Sequence, residues 1–501
     1  MAAAWRRAFS LHRLLFTQQS VVVNLEWQQV SSRGYSRSRW MSPFDAGQPT
    51  HESHPELLSA QEIFPGISVS DFAQRRKALK SYLPTESMVI LGSATVKQMT
   101  EVVPYPFRQD ADYLYFTGCQ QPEGLAVLDD QTELCMFMPE HDTETEAWAG
   151  HAAGTEEAIR VFGADCSYPL QLLSEILPQF IARAKAIYCD LGFLNPIVRE
   201  LPQFQEAIQQ GKVRSLNKYS QLVRWVKSSA ELELMRQAAA ITSKAMLQSM
   251  KVSRVYRHEH LLAATVEYEC KIRGAQRMAF PSVVGGGTNG SIVHYCRNDK
   301  SIDDKSLVLM DVGCEFHGYV SDMTRTWPPC GMFSPTQREV YDVVLDVMKD
   351  CFKMCKPGVT LSQIHQHSVM LLWQGLVQLG LAEGNFDILH FYEFNRTQVG
   401  HYLGMDVHDC STVSLDLPLK PGVVITIEPG LYIPVKPGIP ERFQGMGIRI
   451  EDEVLITRSG HEVLTASVPK EIAEIEAWLG QSKSNDSTPL RTFVCEKPTE
   501  S

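Results

Sequence analysis

The sequence predicts two folded domains, an α/β domain over residues 66–220 and an α+β domain over residues 221–475. In the first, short apolar strand patterns alternate with helix patterns, which is typical of α/β proteins. In the second, well-capped helices stand before and between pairs of strands. A chain of 501 residues has room for two or three domains, since a domain typically has about 150 residues.

The composition is that of an ordinary globular protein. With 44% hydrophobic and 21% charged residues, it excludes a wholly disordered or fibrous chain. No window reaches the roughly 20 continuous apolar residues of a membrane-spanning helix, so we expect no membrane as a partner. A net charge of −11 argues against a nucleic-acid partner. The 12 cysteines are widely spread without a Cys-x-x-Cys pair, which indicates a reducing compartment.

Residues 1–35 are predicted to be a mitochondrial presequence. The first 40 residues contain six arginines, no lysine and one acidic residue, Glu26. On a helical projection, four apolar residues between Ala4 and Leu15 form one stripe, with arginines opposite. Residues 33–36 resemble the Arg-x-Tyr/Ser site at which matrix presequences are cut. We therefore expect a mitochondrial protein, with a cytoplasmic pool and a disordered basic tail as the alternatives.

Residues 36–65 are polar and contain proline and histidine, so they are predicted to be a linker. The folded patterns of the first domain begin at residue 66 and include no obvious cluster of acids and bases. Helices are predicted over 70–83, 155–162 and 171–182. Strands are predicted over 88–91, 113–116, 125–128, 134–138 and 186–189.

The helices of the second domain are predicted from their caps. A capping box of Ser228 with Glu231 opens the first helix, and Gly274 closes the second. A Ser-Pro-Thr-Gln cap at 334–337 opens the third. Helices are predicted over 228–250, 257–273, 335–356 and 361–380. Residues 476–501 are rich in polar residues, proline and lysine, which predicts a disordered tail.

The segment 307–327 is predicted to form a hairpin that holds two carboxylates face to face. If Phe316 and His317 are its tip, Asp311 lies directly opposite Asp322. Opposed residues have Cβ atoms about 5 Å apart, so the carboxylates repel unless one is protonated or a cation lies between them. Such a pair suits two hard divalent ions about 3.5–4 Å apart. The alternative is two aspartates that flank a turn and face solvent.

Further ligand candidates follow downstream. His401 lies between glycines, with little bulk beside it. Glu428 ends the apolar strand 423–428. Because an unpaired buried charge is very costly there, a carboxylate at this position is more often functional than not. In the next alternating strand, Arg449 and Glu451 share one face. Each of these residues, taken alone, also has a structural explanation.

Taken together, five residues resemble the five metal ligands of the pita-bread metallopeptidases. They are, in chain order, Asp311, Asp322, His401, Glu428 and Glu451. The surrounding sequences, SDMTRTW from residue 321 and HYLGMDVHD from residue 401, are similar to the aminopeptidase P group of this family. The resemblance covers about residues 54–470 and is strongest over 294–453. It implies a creatinase-like α/β domain, then a pita-bread domain, and the activity of a metalloaminopeptidase.

The resemblance also implies a role for each ligand. Asp311 would bind one metal ion alone, and His401 with Glu428 would bind the other. Asp322 and Glu451 would bridge the two ions, and Glu428 would also transfer protons. Four carboxylates carry a charge that two divalent metal ions balance. Oxygen-rich ligation favours Mn²⁺, Mg²⁺ or Co²⁺, and manganese is the usual ion of the family.

Three residues outside the ligand set have implied roles in substrate handling. His294 and His408 match the two substrate-contacting histidines of the family and are predicted to be catalytic. Arg449, which we assign to the substrate-binding residues, is expected to orient Glu451 and keep it ionised.

Two positions depart from the pattern of the family. Ala152 replaces an arginine of the N-terminal domain, and Thr397 replaces a histidine four residues before His401. Both changes concern contacts to an Xaa-Pro substrate. The predicted function is removal of the N-terminal residue from peptides or proteins, preferably with proline second, by a homodimer. The alternatives are a prolidase-like or presequence-trimming exopeptidase without a proline requirement, and a non-catalytic pita-bread scaffold.

Overall fold

Residues 46–140 and 143–481 are described by a computed structural model, so the predicted presequence, residues 1–35, lies outside the described ranges. The described residues, which begin at Ala46, form one unit. No helix within the described ranges is long and apolar enough to cross a membrane. The predicted boundary at 220/221 lies inside a helix, and the domain boundaries stay a prediction.

Two segments that were predicted to lack structure are partly folded. Within the predicted linker, 36–65, the strand Glu62–Phe64 forms. Within the predicted tail, 476–501, the first six residues complete the helix Ile472–Gln481. The cause is apolar burial, because Leu479 of this helix is fully buried in the hydrophobic core.

A six-stranded sheet forms the centre of the N-terminal half. Its strands, from one edge to the other, are Cys166–Pro169, Cys135–Met138, Leu125–Leu128, Ser87–Gly92, Ala186–Cys189 and Val213–Ser215. Alternate residues of the strand Ser87–Gly92 enter two hydrophobic clusters, one with the helix Val69–Ser81 and one with the helix Leu173–Arg183. Helices therefore cover both faces, which explains why the strands are almost continuous apolar runs.

The predicted helices of this half lie close to their predicted bounds, and one predicted strand is wrong. Residues 113–116 lie in the helix Ala111–Thr117. Asp110 caps it by accepting a hydrogen bond from Tyr113 N at 2.8 Å, and Gly118 ends it with φ +73°. Its residues are buried on all sides, so the sequence lacks the apolar period of a surface helix. The helices are Val69–Ser81, Ala111–Thr117, Thr143–Ala149, Thr155–Arg160, Leu173–Arg183, Pro196–Glu200, Pro202–Gln209 and Asn217–Trp225, with a 3₁₀ turn at Leu170–Leu172.

The long helices of the C-terminal half begin at their predicted caps. Ser228 and Ser334 form capping boxes with Glu231 and Gln337. Gly274 follows the second helix with φ +96°, a conformation that favours glycine. The helices are Ser229–Val252, Glu259–Lys271, Pro335–Met354, Leu361–Gln378, Ile388–Phe391 and Ile472–Gln481, with a 3₁₀ turn at Gly287–Ser291.

The other strands form short antiparallel sheets, most of which share with these helices one hydrophobic core that includes the buried Trp327 and Tyr402. The sheets are Val283–Gly286 with Val308–Val312 and Met323–Trp327; Arg277–Met278 with Cys314–Phe316 and Tyr319–Val320; Val424–Ile427 with Asp452–Ile456 and His461–Val463; Gly430–Tyr432 with Gly447–Arg449; and, before them in the chain, Glu62–Phe64 with Ile67–Ser68.

The hairpin that carries Asp311 and Asp322 has a register different from the predicted one. Its tip lies one residue further along, at His317 and Gly318, which have φ +48° and +82°. A two-residue hairpin turn favours positive φ at both central positions, and glycine adopts it without steric cost. Asp311 therefore pairs with Thr324. The shift of two positions keeps each side chain on its predicted face, because the period of a strand is two.

Candidate metal centre

The five predicted ligands lie within a strand, directly before or after one, or beside one. Asp311 lies within one strand, and Asp322 directly precedes the next. Glu428 directly follows a third strand, and Glu451 lies in the break between two others. His401 belongs to a segment without regular structure that runs alongside the third strand. Side chains in such places can point away from the sheet while their backbones remain fixed.

Backbone hydrogen bonds join these segments to one another. Glu451 N donates to Thr324 O at 3.1 Å, which ties the Glu451 segment to the strand that follows Asp322. Thr426 N donates to His401 O at 2.9 Å, which ties the histidine segment to the strand that precedes Glu428. The relative positions of the side chains are therefore set by paired backbone.

The ligand atoms converge on one place. His401 Nε2 lies 3.4 Å from Asp322 Oδ2 and 3.4 Å from Glu428 Oε1. Ligand atoms of Asp322, His401 and Glu451 lie within 4.8 Å of one another, a spacing that can hold a metal ion. Asp311 is joined to this group through the guanidinium of Arg449, which donates to Asp311 Oδ2. The structure thus brings the five residues together, and their assignment as ligands stays a prediction.

The centre carries an excess of buried negative charge. Burial and the nearby Asp311 raise the pKa of Asp322, and burial and Asp322 raise the pKa of Glu451. Burial also raises the pKa of Glu428. Asp311 Oδ1 and Asp322 Oδ1 are buried without a hydrogen-bond partner. Clustered carboxylates with unpartnered oxygens fit hard divalent cations, which prefer oxygen ligands.

Arg449 contacts Asp311 directly and reaches Glu451 through Thr324, and its predicted role in orienting Glu451 stays a prediction. The buried guanidinium donates to Tyr432 OH at 2.6 Å and to Thr324 Oγ1 at 3.0 Å as well as to Asp311. The Thr324 hydroxyl then donates to Glu451 Oε2 at 2.7 Å. Burial opposes its charge, but Tyr432 and Asp311 outweigh that effect and raise the pKa of Arg449. A role in substrate binding stays a prediction.

Two further histidines lie beside the centre. The rings of His401 and His408 meet edge to face, with centroids 4.5 Å apart. His408 and His294 are both exposed. The protein packed around His408, together with His401 and His294, lowers the pKa of His408 and favours the neutral imidazole. A neutral imidazole can donate one hydrogen bond and accept another. The catalytic roles of both residues stay a prediction.

The sequence patterns did not identify two buried threonines whose hydroxyls contact predicted ligands. The Thr324 hydroxyl donates to Glu451, and the Thr426 hydroxyl donates to Glu428 Oε1 at 3.2 Å. Thr426 lies two residues before Glu428, just as Thr324 lies two residues after Asp322. Residues two apart share a face of a strand, so this spacing was the available signal.

A second group of charges, buried around Arg224 and Asp409 and partly exposed at Arg108 and Asp406, joins the N-terminal half to the segment 405–409, which follows His401. Arg224 donates to Asp112 Oδ1 at 2.7 Å and to Asp406 Oδ2 at 2.8 Å. Lys227 donates to Asp409 Oδ2 at 3.3 Å. We call this group the interdomain ion cluster. Its members are Arg108, Asp112, Arg224, Lys227, Asp406 and Asp409.

Two family profiles match the chain. The profile of metallopeptidase family M24 matches residues 233–458, and the profile of the aminopeptidase P N-terminal domain matches residues 72–188. The protein named intermediate cleaving peptidase 55, mitochondrial, of Arabidopsis thaliana is 50% identical over 472 residues, covering 94% of this chain and 95% of that protein. Xaa-Pro aminopeptidase 3 of Homo sapiens is 37% identical over 462 residues, covering 87% and 91%.

Solved structures agree with these matches. Aminopeptidase PepP of Pseudomonas aeruginosa superposes with a TM-score of 0.78 at 37% identity, covering 84% of this chain and 99% of that one. Zinc-substituted aminopeptidase P of E. coli in complex with product gives 0.79 at 32% identity, covering 84% and 100%. The predicted order of an N-terminal α/β domain and a C-terminal pita-bread domain is confirmed. The chain therefore belongs to the aminopeptidase P group of metallopeptidase family M24 and is a metalloaminopeptidase.

Proposed function

We propose that the protein removes the N-terminal residue from peptides or proteins that have proline second, with two divalent metal ions, Mn²⁺ in the cell. The observation that carries this proposal is the convergence of Asp322, His401 and Glu451, with Glu428 and Asp311 adjoining. The two relatives described above are named intermediate cleaving peptidase 55 and Xaa-Pro aminopeptidase 3, which supports an exopeptidase acting on N-termini.

The proposed chemistry divides between the ions and the side chains. When bound, the two ions would lower the pKa of a shared water and polarise the peptide carbonyl. Glu428 would accept a proton from the attacking water and return it to the leaving nitrogen. Two contacts that orient Glu428 support this role: the Thr426 hydroxyl donates to its Oε1 at 3.2 Å, and His401 Nε2 lies 3.4 Å from the same oxygen. The exposed His294 and His408 would hold the peptide by hydrogen bonds.

The experiment compares two tripeptides that differ only in the second residue, proline or alanine. The protein is freed of metal, reloaded with Mn²⁺, and kcat/KM is measured for both peptides. We expect clear cleavage before proline and a lower value before alanine. Glu428→Gln tests the role of this residue, since it keeps the shape of the side chain but cannot carry the proton. Full activity of Glu428→Gln would contradict the proposed role.

A second candidate function is trimming of protein N-termini without a proline requirement. Two observations favour it: Ala152 and Thr397 stand where the family carries side chains expected to contact an Xaa-Pro substrate. The same pair of tripeptides separates the candidates, because a trimming enzyme would cleave the alanine peptide at least as fast. All five predicted ligands are present in the chain, which argues against a non-catalytic scaffold.

We also propose that the enzyme acts in mitochondria as a homodimer. The arginine-rich stretch over residues 1–35 and the mitochondrial relative of Arabidopsis thaliana support the location. Mass spectrometry of the cell-derived protein should find an N-terminus near Ser36, and an abundant cytosolic form with an intact Met1 would contradict this. Light scattering during gel filtration should give about twice the mass of one mature chain.

A further inference from the structure

The two threonine hydroxyls beside the centre make the same pair of contacts. Each accepts a hydrogen bond from an N–H group and donates its own proton to a glutamate. The Thr324 hydroxyl accepts from Arg449 Nε at 3.0 Å and donates to Glu451 Oε2 at 2.7 Å. A hydroxyl has one proton, so the accepted bond fixes the direction in which that proton points.

The second hydroxyl repeats this arrangement on the other side of the centre. Thr426 Oγ1 accepts from His401 N at 3.1 Å and donates to Glu428 Oε1 at 3.2 Å. Both threonine side chains are fully buried, so water cannot replace either contact. Thr426 thereby links two residues that are predicted to bind the same ion. Thr324 links a predicted bridging residue, through Arg449, to Asp311.

We propose that Thr324 and Thr426 are positioning residues of the metal centre: each fixes the orientation of one glutamate ligand by donating a hydrogen bond to it. The proposal rests on the proposed function, because it takes Glu428 and Glu451 as metal ligands. A hydrogen bond to one carboxylate oxygen stops rotation of the group and leaves its remaining lone pairs available to a cation. Groups that hold metal ligands in this way typically contribute about 10- to 100-fold to metal affinity.

The two threonines differ in the ions that they affect. Thr426 orients Glu428, which is predicted to bind one ion, so its loss should weaken one binding step. Thr324 orients Glu451, which is predicted to bridge both ions, so its loss should weaken both steps. This difference distinguishes specific positioning from a general loss of packing, which would not select one ion.

The test uses substitutions that keep the shape of the side chain. Thr324→Val and Thr426→Val replace the hydroxyl by a methyl group. Thr324→Ser and Thr426→Ser keep the hydroxyl and lack only the methyl group of threonine. Thr326→Val is the matched control: Thr326 is equally buried on the same strand, but its hydroxyl bonds only to the backbone of Arg449, at 2.9 and 3.2 Å. Mn²⁺ binding to the metal-free full chain is measured by titration calorimetry, with thermal unfolding and kcat/KM alongside.

We expect Thr426→Val to weaken one Mn²⁺ step about 10- to 100-fold and Thr324→Val to weaken both. The serine variants should recover most of the affinity, and Thr326→Val should lower thermal stability without changing either step. Wild-type affinity in both valine variants, with two ions bound by the wild type, would overturn this inference alone. A wild type that binds no divalent ion would overturn the proposed function as well.

Discussion

Two groups of charges lie on either side of the segment that begins at His401, and they differ in their balance of charge. The metal centre has four carboxylates and a single guanidinium, that of Arg449, within contact. The interdomain ion cluster has three carboxylates and three cations, and each carboxylate meets at least one cation. The first group therefore has more carboxylates than cations, which fits a site that can hold a metal ion, whereas the charges of the second group balance within the protein.

The direction of the pKa shifts follows the same difference. In the metal centre, burial and neighbouring carboxylates raise the pKa of Asp322 and of Glu451. In the interdomain ion cluster, burial opposes ionisation of Asp409, but Arg224 and Lys227 outweigh it and lower the pKa of that carboxyl. Buried charge that the protein leaves uncompensated marks a site for a ligand, whereas compensated charge marks a structural joint.

The largest effect should follow from removing a bridging ligand. Asp322→Ala or Glu451→Ala leaves the charge of the two metal ions poorly neutralised, so we expect both ions and turnover to be lost. Metal affinity and kcat/KM should fall by more than the roughly 100-fold that the loss of a residue holding a ligand costs. Metal content by mass spectrometry and kcat/KM by peptide assay measure this. Glu453→Gln, which changes a buried acid that bonds Ser321 and the backbone of Asp322, serves as a control for burial. Two bound ions and full turnover in either alanine variant would refute the ligand assignment.

The next largest effect, a loss of stability, should follow from removing a cation of the interdomain ion cluster. Arg224→Met leaves Asp112, Asp406 and Asp409 without their shared cation, and breaking a buried pair in this way costs about 3–5 kcal/mol of folding free energy. Denaturant unfolding measures the loss. The number of metal ions bound per folded chain should stay at the wild-type value, whereas it should fall in Asp322→Ala and Glu451→Ala. A stable Arg224→Met protein that binds fewer ions would show that the two groups are not independent.

Removal of metal should affect only the group that depends on it. At a free Mn²⁺ concentration of 100 times Kd, bound ion stabilises the folded state by about 2.7 kcal/mol per site. Chelation with EDTA should therefore lower the thermal unfolding temperature of the wild type. Asp322→Ala should show no such shift, while Arg224→Met should show the full shift from its lower starting point. An equal response of all three proteins to EDTA would mean that the chelator acts elsewhere.

Features of the fold that depend on residues close together in the chain were predicted better than features that depend on distant residues. Helix caps such as Ser228 and Ser334 are local, so the helices were predicted close to their bounds. The five candidate metal ligands were singled out because their order and neighbours resemble a known family, and the structure brings these residues together. The hairpin register was wrong because His317 adopts positive φ, which residue patterns alone did not indicate.

Features built from distant residues were missed altogether. Arg108 and Asp406 of the interdomain ion cluster are 298 positions apart, and no local pattern relates them. The helix Ala111–Thr117 was predicted as a strand because tertiary burial on all sides removes the apolar period on which the prediction depends. Thr324 donates to Glu451, which is 127 positions away in the chain, so its contact with a carboxylate follows from the fold and not from its sequence neighbours.

The smallest expected effect concerns Thr397, close to the metal centre but outside its ligand set. Its hydroxyl and its amide both bond to Asn395 Oδ1, at 3.3 and 2.9 Å, so the side chain is engaged locally. Two neighbouring residues could take the place of the family's histidine, His390 and Gln398. His390 Nε2 lies 3.0 Å from Leu381 O and is engaged there, whereas Gln398 is exposed but cannot carry a positive charge. A histidine at position 397 should therefore restore a contact that the chain lacks.

Thr397→His should raise kcat/KM for an Xaa-Pro tripeptide about tenfold, the lower end of what a charge-assisted hydrogen bond contributes. Because residue 397 binds neither ion in the proposed centre, metal content should stay unchanged, unlike in the bridging variants. Thr397→Asn is the matched control, since it is polar but cannot carry the charge. If Thr397→His leaves kcat/KM unchanged or lower with its metals intact, the natural substrate does not need this contact. The trimming function without a proline requirement would then be the better description of the enzyme.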